Sequence, residues 1–306
     1  MTRSWIGIDL GGTKTHIGIA PLDDGGHAPL SLTAERVVPT PRAGGAALCE
    51  VIGATIDELM RQTQTDRLIG IGIGGAGVPQ ADGGFTAAPN LGDTAFDFGS
   101  ALSSRFEAPV EIDNDANVAA LGELVALGDE QASFGYVAVG TGIGMGLILE
   151  GRLIRGASLA AGEIGYIPVG ADPLDAANHR RGALEEAVAG DVLAARDPGA
   201  STVREVFERA AAGVPEAREA LDAQARWVAY ALATVIAVVD PGAFVLGGGI
   251  GSREELRAPI QHWLERLGHP DVPVRISTLG SAGAVLGAIE LARRSPSVSM
   301  PTGAHQ

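Results

Sequence analysis

Cysteine is almost absent from this sequence of 306 residues, in which Cys49 stands alone. One cysteine cannot form a disulfide within the chain, and it cannot build a thiolate zinc site by itself. Aromatic residues make up only 4% of the sequence, so the core must be mainly aliphatic. We therefore expect a reducing, cytoplasmic setting for this chain.

Basic residues are also scarce, since 22 Lys and Arg stand against 37 Asp and Glu, giving a net charge of −15. That charge repels nucleic-acid backbones and anionic membrane surfaces, so neither is an expected partner. No apolar run approaches the roughly 20 residues that span a bilayer. We also expect no signal peptide, because no basic segment followed by an apolar one opens the sequence.

The length indicates two domains, because single hydrophobic cores stop growing at about 250 to 300 residues. Apolar alternation predicts strands at 6–10, 15–20, 31–38, 68–74, 109–113, 134–139, 145–149, 244–246 and 274–277. Three- and four-residue spacing predicts helices at 46–64, 100–106, 118–127, over much of 184–239, at 254–267 and at 282–293. We place one α/β domain at 1–115 and another at 116–281, with the last helix (about 282–294) returning to the first and a disordered tail at 295–306.

Four glycine-rich turns follow apolar strands, at 9–14 (DLGGTK), 74–79 (GGAGVP), 140–144 (GTGIG) and 247–251 (GGGIG). A single turn of this kind is weak support for a ligand, because glycine mostly serves chain reversal. Bare backbone N–H groups in consecutive peptide units do make anion-binding concavities, and Lys14 adds a positive charge to the first of them. The recurrence of the turns through both halves favours a nucleotide cleft.

A polar cluster follows another strand, at 113–117 (DNDAN). A carboxylate at a strand-to-helix junction is more often a helix cap than a catalyst. This cluster, however, carries more polar groups than one cap requires. Phosphoryl transfer to an alcohol needs a carboxylate that accepts or orients the hydroxyl proton, and Asp115 is the candidate. By contrast, His16 within a strand is expected to be a packed histidine, and residues 179–181 (HRR) are typical of a solvated loop.

The order of the motifs resembles one family. The sequence contains DLGGTK at 9–14, PNL at 89–91, NDAN at 114–117 followed by GE at 122–123, GTGIG at 140–144, GEIGY at 162–166 and GGG at 247–249. Together they resemble the ROK family of sugar kinases, from residue 5 to about residue 293. The resemblance implies the ribonuclease-H-like fold of actin, hexokinase and Hsp70, an α/β architecture with duplicated βββαβα halves around a central cleft.

The resemblance also implies roles for individual residues. Asp115 matches the catalytic base, and Asp9 would hold Mg²⁺ in part through water. The residues implied at ATP and its phosphates are Asp9, Gly11, Gly12, Thr13, Lys14, Thr141, Gly142, Gly144, Gly247, Gly248 and Gly249. Those implied at the sugar are Gly75, Asn90, Asn114, Asp115, Glu163, Tyr166 and Glu185. The family also implies a homodimer.

The sequence departs from the family at its structural zinc site. The family holds zinc with a histidine at the end of GEIGH and with three cysteines in a CxCGxxGCxE pattern. This chain has Tyr166 in place of the histidine and Ala176, Asn178 and Ala183 in place of the cysteines. Alanine offers no ligand and a lone Asn is a poor one, so we predict that zinc is absent. The family histidine also reaches the sugar, which leaves the identity of the acceptor open.

The resemblance implies an ATP-dependent kinase that phosphorylates a hydroxyl of a hexose or related polyol, as a glucokinase does. An alternative acceptor is a C7-cyclitol or another compound that is not glucose. Polyphosphate is an alternative donor, although the acidic chain disfavours a long polyanion. Less favoured are a sugar-binding protein that has lost catalysis and a sugar-sensing regulator. The regulators of the family carry a DNA-binding module ahead of the kinase-like part, whereas four residues precede the first strand here.

Overall fold

A computed structural model describes residues 1–22, 31–79, 85–86, 96–128 and 132–296. The chain divides into two compact units, one formed by 1–128 with 279–306 and the other by 129–278. The boundary between the two units follows residue 128. The sequence-based prediction placed it after residue 115, ahead of the helix that ends near residue 128. That helix stays with the first unit because it packs against the C-terminal helix. Most of the segment predicted as a tail, from residue 297, lies outside the described residues.

The first unit contains a five-stranded sheet in the order β3-β2-β1-β4-β7. β1, β2 and β3 form an antiparallel meander, and β4 and β7 then add in parallel to β1. A two-stranded ribbon, β5 with β6, follows β4. The bounds are β1 Arg3–Leu10, β2 Lys14–Pro21, β3 Ala34–Pro39, β4 Arg67–Gly75, β5 Val78–Pro79, β6 Phe85–Thr86 and β7 Val110–Asn114.

The second unit contains another five-stranded sheet, in the order β10-β9-β8-β11-β12. Its first three strands are again an antiparallel meander, and its last two are again parallel to the first strand of the meander. The two units therefore repeat one topology, as the fold prediction requires. The bounds are β8 Phe134–Val139, β9 Ile143–Leu149, β10 Arg152–Ile154, β11 Phe244–Gly247 and β12 Val274–Ile276.

Helices cover both faces of the first sheet, which explains why β1 and β2 are almost continuously apolar. One face packs against α1, with a core that includes Ile8, Ile17 and Ile52. The other face packs against α10 so closely that a Cβ on Gly72 would lie 1.7 Å from the Ala288 carbonyl oxygen. The helices of this unit are α1 Gly45–Thr63, α2 Phe98–Phe106, α3 Asp115–Leu127 and α10 Ala282–Arg293.

The second unit buries a larger aliphatic core around α7, which is 25 residues long and starts at Pro215. α6 begins with a capping box, in which Thr202 and Glu205 bond each other's backbone N–H. Pro259 lies inside the helix that spans Glu254–Arg266, and residues 248–251 form a short helical turn directly after β11. The helices are α4 Glu185–Val188, α5 Gly190–Arg196, α6 Val203–Ala211, α7 Pro215–Val239, α8 Gly248–Gly251 and α9 Glu254–Arg266.

No helix within the described ranges has both the length and the apolar character needed to cross a membrane.

Candidate active site

The glycine turn between β1 and β2 is fixed by a threonine from outside the turn. Gly11 donates a backbone hydrogen bond to the Lys14 carbonyl at 3.1 Å, and a Cβ on Gly11 would approach that oxygen to 2.8 Å. The Thr40 hydroxyl donates to the Gly11 carbonyl at 2.7 Å, and the Thr40 N–H donates to the Thr13 carbonyl at 3.0 Å. The side chains of Thr13 and Lys14 stay exposed. A held turn thus presents a hydroxyl and an ammonium, which are suitable groups for a phosphate.

Asp9 lies one residue before the end of β1, opposite His16 in the antiparallel register. Burial, followed by the negative charge of Asp115, raises the pKa of Asp9 from 3.8 to about 6, and the charges of His16 and Lys14 act in the opposite direction. Asp9 and Asp115 are therefore near enough to interact electrostatically. Paired carboxylate oxygens fit the ligand preference of Mg²⁺, which would relieve their repulsion.

His16 is a packed histidine, with 4% of its surface exposed. Its Nε2 lies 2.9 Å from the Glu35 carboxylate and its Nδ1 lies 3.2 Å from the Ser281 carbonyl oxygen. Because a carbonyl oxygen only accepts, Nδ1 is the donor in that hydrogen bond. His16 therefore ties β2 to the start of α10, and neither ring nitrogen is left for substrate.

Asp115 is the first residue of α3. Asn114 caps this helix, since its side chain accepts from the Ala116 N–H at 2.9 Å. One oxygen of Asp115 accepts from the same N–H at 2.8 Å, while the side chain as a whole is exposed. Desolvation by the protein around it raises the pKa of Asp115. An accessible carboxylate with a raised pKa is suited to accept a proton from a substrate hydroxyl.

The residues next to Asp115 hold its turn in place. Asn114 donates to the Gly77 carbonyl at 3.2 Å, and Asn114 pairs with Gly75 across β7 and β4. Asp113 is buried and accepts from the Asn117 amide at 2.8 Å. Gly75, Asn114 and Asp115 thus meet at one end of the sheet. Asn90, the other sugar-binding candidate of this unit, lies outside the described residues.

In the second unit, the turn from β8 to β9 packs beside the GGG segment. Gly140 donates to the Gly142 carbonyl at 2.9 Å, which closes the turn and leaves the Thr141 side chain exposed. Gly248 has φ +78°, and a Cβ on it would lie 2.5 Å from the Val139 carbonyl oxygen. An added Cβ on Gly249 would meet no atom within 4 Å. The candidates brought together in this corner are Thr141, Gly142, Gly144, Gly247, Gly248 and Gly249.

The predicted acceptor wall adjoins the same turn. Gly162 approaches Met145 of β9 so closely that a Cβ would lie 1.9 Å from the Met145 carbonyl oxygen, and the Met145 N–H donates to the Gly162 carbonyl at 3.1 Å, which holds the backbone next to Glu163. Glu185, at the start of α4, accepts from the Ile143 N–H at 3.0 Å. Glu163 and Glu185 are therefore both anchored to β9 or to the turn before it.

Residues 179–181 lie in a loop with His179 and Arg180 exposed, as expected, but Arg181 is only 27% exposed and is ion-paired. Its guanidinium makes two hydrogen bonds to Asp191, at 2.9 and 3.0 Å, and its Nε lies 3.5 Å from Glu186 and 3.6 Å from Glu185. Sequence reasoning also missed Thr40, because a threonine between two prolines gives no signal of a distant partner. The ion pairs of Arg181 could have been anticipated, because acidic residues lie four, five and ten positions after it in the sequence.

Comparison with known proteins decides the family. The ROK family model matches residues 5–295. The chain belongs to the ROK family. It is 31% identical to a glucokinase of Halalkalibacterium halodurans, over 93% of each chain, and 31% identical to an N-acetylmannosamine kinase of Citrobacter koseri, over 85% of this chain and 88% of that one. The crystal structure of a ROK glucokinase from Streptomyces griseus, in complex with glucose and AMPPNP, matches with a TM-score of 0.75 and 28% identity, covering 95% of this chain and all of that one.

This ROK protein is a phosphotransferase that acts on a sugar hydroxyl, and its two units have the actin-like ATPase topology. The segment in which the family carries its zinc ligands is held here by hydrogen bonds. The Asn178 amide donates to the Asp172 carbonyl at 2.8 Å, and the Gly182 N–H donates to the Asn178 carbonyl at 2.9 Å. The Tyr166 hydroxyl donates to the Arg180 carbonyl at 3.4 Å, and 57% of the Tyr166 surface is exposed.

Across the described ranges, no three or more His, Cys, Asp or Glu side chains are grouped so that they could hold a metal ion.

Proposed function

We propose that this chain is an ATP-dependent kinase in which Asp115 accepts the proton of a hexose hydroxyl as phosphate is transferred to it. The observation that carries the proposal is the position of Asp115, an accessible carboxylate of raised pKa at the start of α3. The helix N-terminus has free N–H groups and a positive dipole, which stabilise the ionised carboxylate against its desolvation. Removing the proton makes the hydroxyl oxygen a better nucleophile toward the γ-phosphorus.

The glycine turn of each unit is a proposed contact for the donor. In the first unit Gly11 closes the turn, while Gly12 and Thr13 offer backbone N–H groups, Thr13 a hydroxyl and Lys14 an ammonium to the phosphates, and the exposed tip of the turn leaves them accessible. Thr141, Gly142 and Gly144 form the second turn, and Gly247, Gly248 and Gly249 are proposed to lie against adenosine. The open space beside Gly249 supports an approach by a ligand.

Mg²⁺ would be held in part through water by Asp9, and when bound it neutralises charge on the phosphate oxygens. Asp9 fits this role because its carboxylate interacts with that of Asp115, so a cation between them would be stabilising. ATP is the proposed donor, since the ROK glucokinase structure that matches this chain holds AMPPNP. We expect polyphosphate to be a poor donor because the chain carries a net charge of −15.

A hexose is the proposed acceptor, held by Gly75, Asn90, Asn114, Glu163 and Glu185. Carboxylates and amides pair with several hydroxyls at once, so this set suits any polyol. Because of Tyr166, a C7-cyclitol is kept as the second candidate for the acceptor substrate. Tyr166 stands where the family has a histidine, and because its hydroxyl donates to the Arg180 carbonyl, its oxygen remains as a neutral acceptor for a substrate hydroxyl.

We propose that the chain contains no structural zinc, because Tyr166, Ala176, Asn178 and Ala183 provide no thiolate or imidazole. The hydrogen bonds of Asn178 and Gly182 take over part of the role of the metal in holding this segment. Elemental analysis of purified protein is expected to give far less than one zinc per chain. Stoichiometric zinc would contradict the proposal.

The function is tested by measuring ADP release from ATP and Mg²⁺ with separate panels of hexoses, N-acetylated amino sugars and cyclitols. We expect turnover with at least one hexose, and a panel that ranks the acceptors by kcat/KM. Turnover with cyclitols alone would support the second candidate. The absence of turnover with every acceptor would contradict the proposed kinase activity.

A further inference from the structure

The carboxylate of Glu185 touches the second glycine turn directly. Its Oε2 accepts from the Ile143 N–H at 3.0 Å, and a Cβ on Gly142 would lie 2.3 Å from the same oxygen. Its Oε1 faces Arg181, whose Nε lies 3.6 Å away. The two oxygens of one carboxylate therefore have two different partners, a hydrogen bond on one side and an ion pair on the other.

Arg181 is itself held in one orientation. Both terminal nitrogens of its guanidinium bond to Asp191, one to each carboxylate oxygen, in the paired geometry that arginine forms with carboxylates. The Arg181 side chain is 27% exposed and so keeps little freedom. Its Nε lies within ion-pair distance of Glu185 and Glu186, at 3.6 and 3.5 Å. A lysine would have one ammonium group for all three carboxylates.

The backbone beneath Glu185 is fixed independently of Arg181. The last carbonyl groups of α4 accept hydrogen bonds from a buried pair of side chains: Gln224 donates to Val188 at 2.7 Å, and Arg196 donates to Ala187. Arg196 also donates to the Gln224 side chain at 2.9 Å. Since these contacts hold α4, the remaining freedom of Glu185 lies in its side-chain torsions, and Arg181 restricts those.

We propose that Arg181 is a positioning residue of this kinase, which orients Glu185 so that one carboxylate supports the acceptor wall and the second glycine turn together. This inference rests on the proposed function, which places a sugar at Glu185 and phosphates at Gly142. If the carboxylate rotates away, the Ile143 N–H loses its acceptor and the turn loses a fixed contact. Loss of Arg181 therefore weakens the binding of nucleotide as well as sugar.

A direct contact between Arg181 and phosphate is the competing explanation, and the geometry disfavours it. Both terminal nitrogens of Arg181 already donate hydrogen bonds to Asp191. These hydrogen bonds hold the pKa of the Asp191 carboxyl below its ordinary value. An arginine that binds phosphate would have to leave this pair. A positioning role needs no such rearrangement.

The test compares Arg181→Ala with the matched control Arg180→Ala. Arg180 is exposed, and no ion pair is recorded for it among the described residues. Calorimetry with ADP alone measures nucleotide binding without sugar, and steady-state kinetics give KM for ATP and for the best hexose. For Arg181→Ala we expect ADP affinity and hexose KM each to worsen by about two- to fivefold, the upper range of one ion pair. Arg180→Ala is expected to match the wild type.

Arg181→Lys separates orientation from charge. We expect it to fall between Arg181→Ala and the wild type, because the charge remains while the paired geometry is lost. A lysine variant equal to the wild type would overturn the orienting role. So would an Arg181→Ala variant in which hexose KM rises and ADP affinity is unchanged, since Glu185 would then act on sugar alone.

If Arg181→Ala does not fold, as judged by circular dichroism, Asp191→Ala removes the anchor of Arg181 and is expected to weaken ADP binding in the same direction. Unchanged ADP affinity in folded Asp191→Ala would overturn the inference. If the wild type binds ADP but turns over no acceptor, the proposed function fails, and the ADP titrations still decide whether Arg181 positions the turn.

Discussion

Asn117 donates a hydrogen bond of 2.8 Å to the carboxylate of Asp113, across the first turn of α3 that carries Asp115. Asp113 also accepts from the Asn114 N–H at 2.8 Å and is only 2% exposed. The group that we propose to accept the substrate proton thus stands two residues after a buried, hydrogen-bonded aspartate. This arrangement makes the placement of Asp115 depend on a residue that contacts no substrate.

Asp113→Ala is expected to lower the free energy of unfolding by about 1 to 3 kcal/mol, because it leaves the buried Asn117 amide and the Asn114 N–H without their acceptor. It is also expected to lower kcat, since the turn of Asp115 loses its support. Urea unfolding and steady-state kinetics measure the two effects. Asp113→Asn is the matched control, because it keeps one acceptor oxygen at the same place. A stability of Asp113→Ala equal to that of Asp113→Asn would contradict the account.

The raised pKa of Asp9 predicts a pH dependence of stability in the ligand-free protein. The folded state holds this proton up to about pH 6, whereas an unfolded Asp releases it near 3.8. Ionising Asp9 therefore costs the folded state stability, and the cost is absent below 3.8 and grows as pH rises to about 6. Asp9→Asn lacks this cost.

We expect the stability difference between Asp9→Asn and wild type to shift in favour of the variant by about 1 to 2 kcal/mol between about pH 4.5 and pH 7. Urea unfolding without Mg²⁺ or nucleotide measures this difference at each pH. Addition of Mg²⁺ with ADP should stabilise the wild type more than the variant. A difference that does not change with pH would show that Asp9 is not perturbed in the way described.

The close approach of α3 and α10 depends on glycine. A Cβ on Gly287 would lie 1.8 Å from the Val118 carbonyl oxygen, and one on Gly122 would lie 2.2 Å from the Gly283 carbonyl oxygen. Because these contacts are with backbone, the helices must separate to accommodate a methyl group. Gly287→Ala is expected to cost about 2 kcal/mol or more and to lower the melting temperature by several degrees.

Gly249→Ala serves as the control for this packing effect, since an added Cβ there meets no atom within 4 Å. We expect its melting temperature, measured without ligand, to remain close to that of the wild type. Equal melting temperatures for Gly287→Ala and Gly249→Ala would contradict the described helix packing.

Local sequence patterns were enough to predict the longer strands, the main helices and the glycine turns, but not the short strands β5, β6 and β10. The β-branched runs on either side of the glycine turn predict the hairpin of β1 and β2. Asn114 is a residue type favoured at helix N-caps, so the cap next to Asp115 was also predictable. Contacts between distant segments were not predictable in the same way. His16 meets the Ser281 carbonyl 265 positions away, and nothing in the composition of a strand identifies such a partner.

The second unit shows the same limit. Glu185 could be assigned to the acceptor wall through the family pattern, yet its hydrogen bond to the Ile143 N–H joins residues 42 positions apart. Proline disfavours a helix interior, yet α9 runs from Glu254 to Arg266 with Pro259 inside it, so the local sequence alone did not decide this helix.

Gly142→Ala tests the contact between the second turn and Glu185. An added methyl would lie 2.3 Å from Glu185 Oε2, so the carboxylate must move while the backbone need not. We expect nearly unchanged stability and a loss of kcat/KM for the hexose of about tenfold or more. Gly140→Ala is the matched control within the same turn, because its Cβ would be 3.7 Å from the nearest atom, the Gly249 nitrogen. Equal kinetics for the two variants would contradict the described contact.

The central claim is that Asp115 accepts the proton of the acceptor hydroxyl, and Asp115→Asn tests it most directly. The variant keeps the size of the side chain but cannot take up the proton. With ATP, Mg²⁺ and the best hexose, we predict that kcat falls by about a hundredfold or more, while ADP and hexose affinities stay within about threefold of the wild type. A kcat within a few-fold of the wild type would contradict the account.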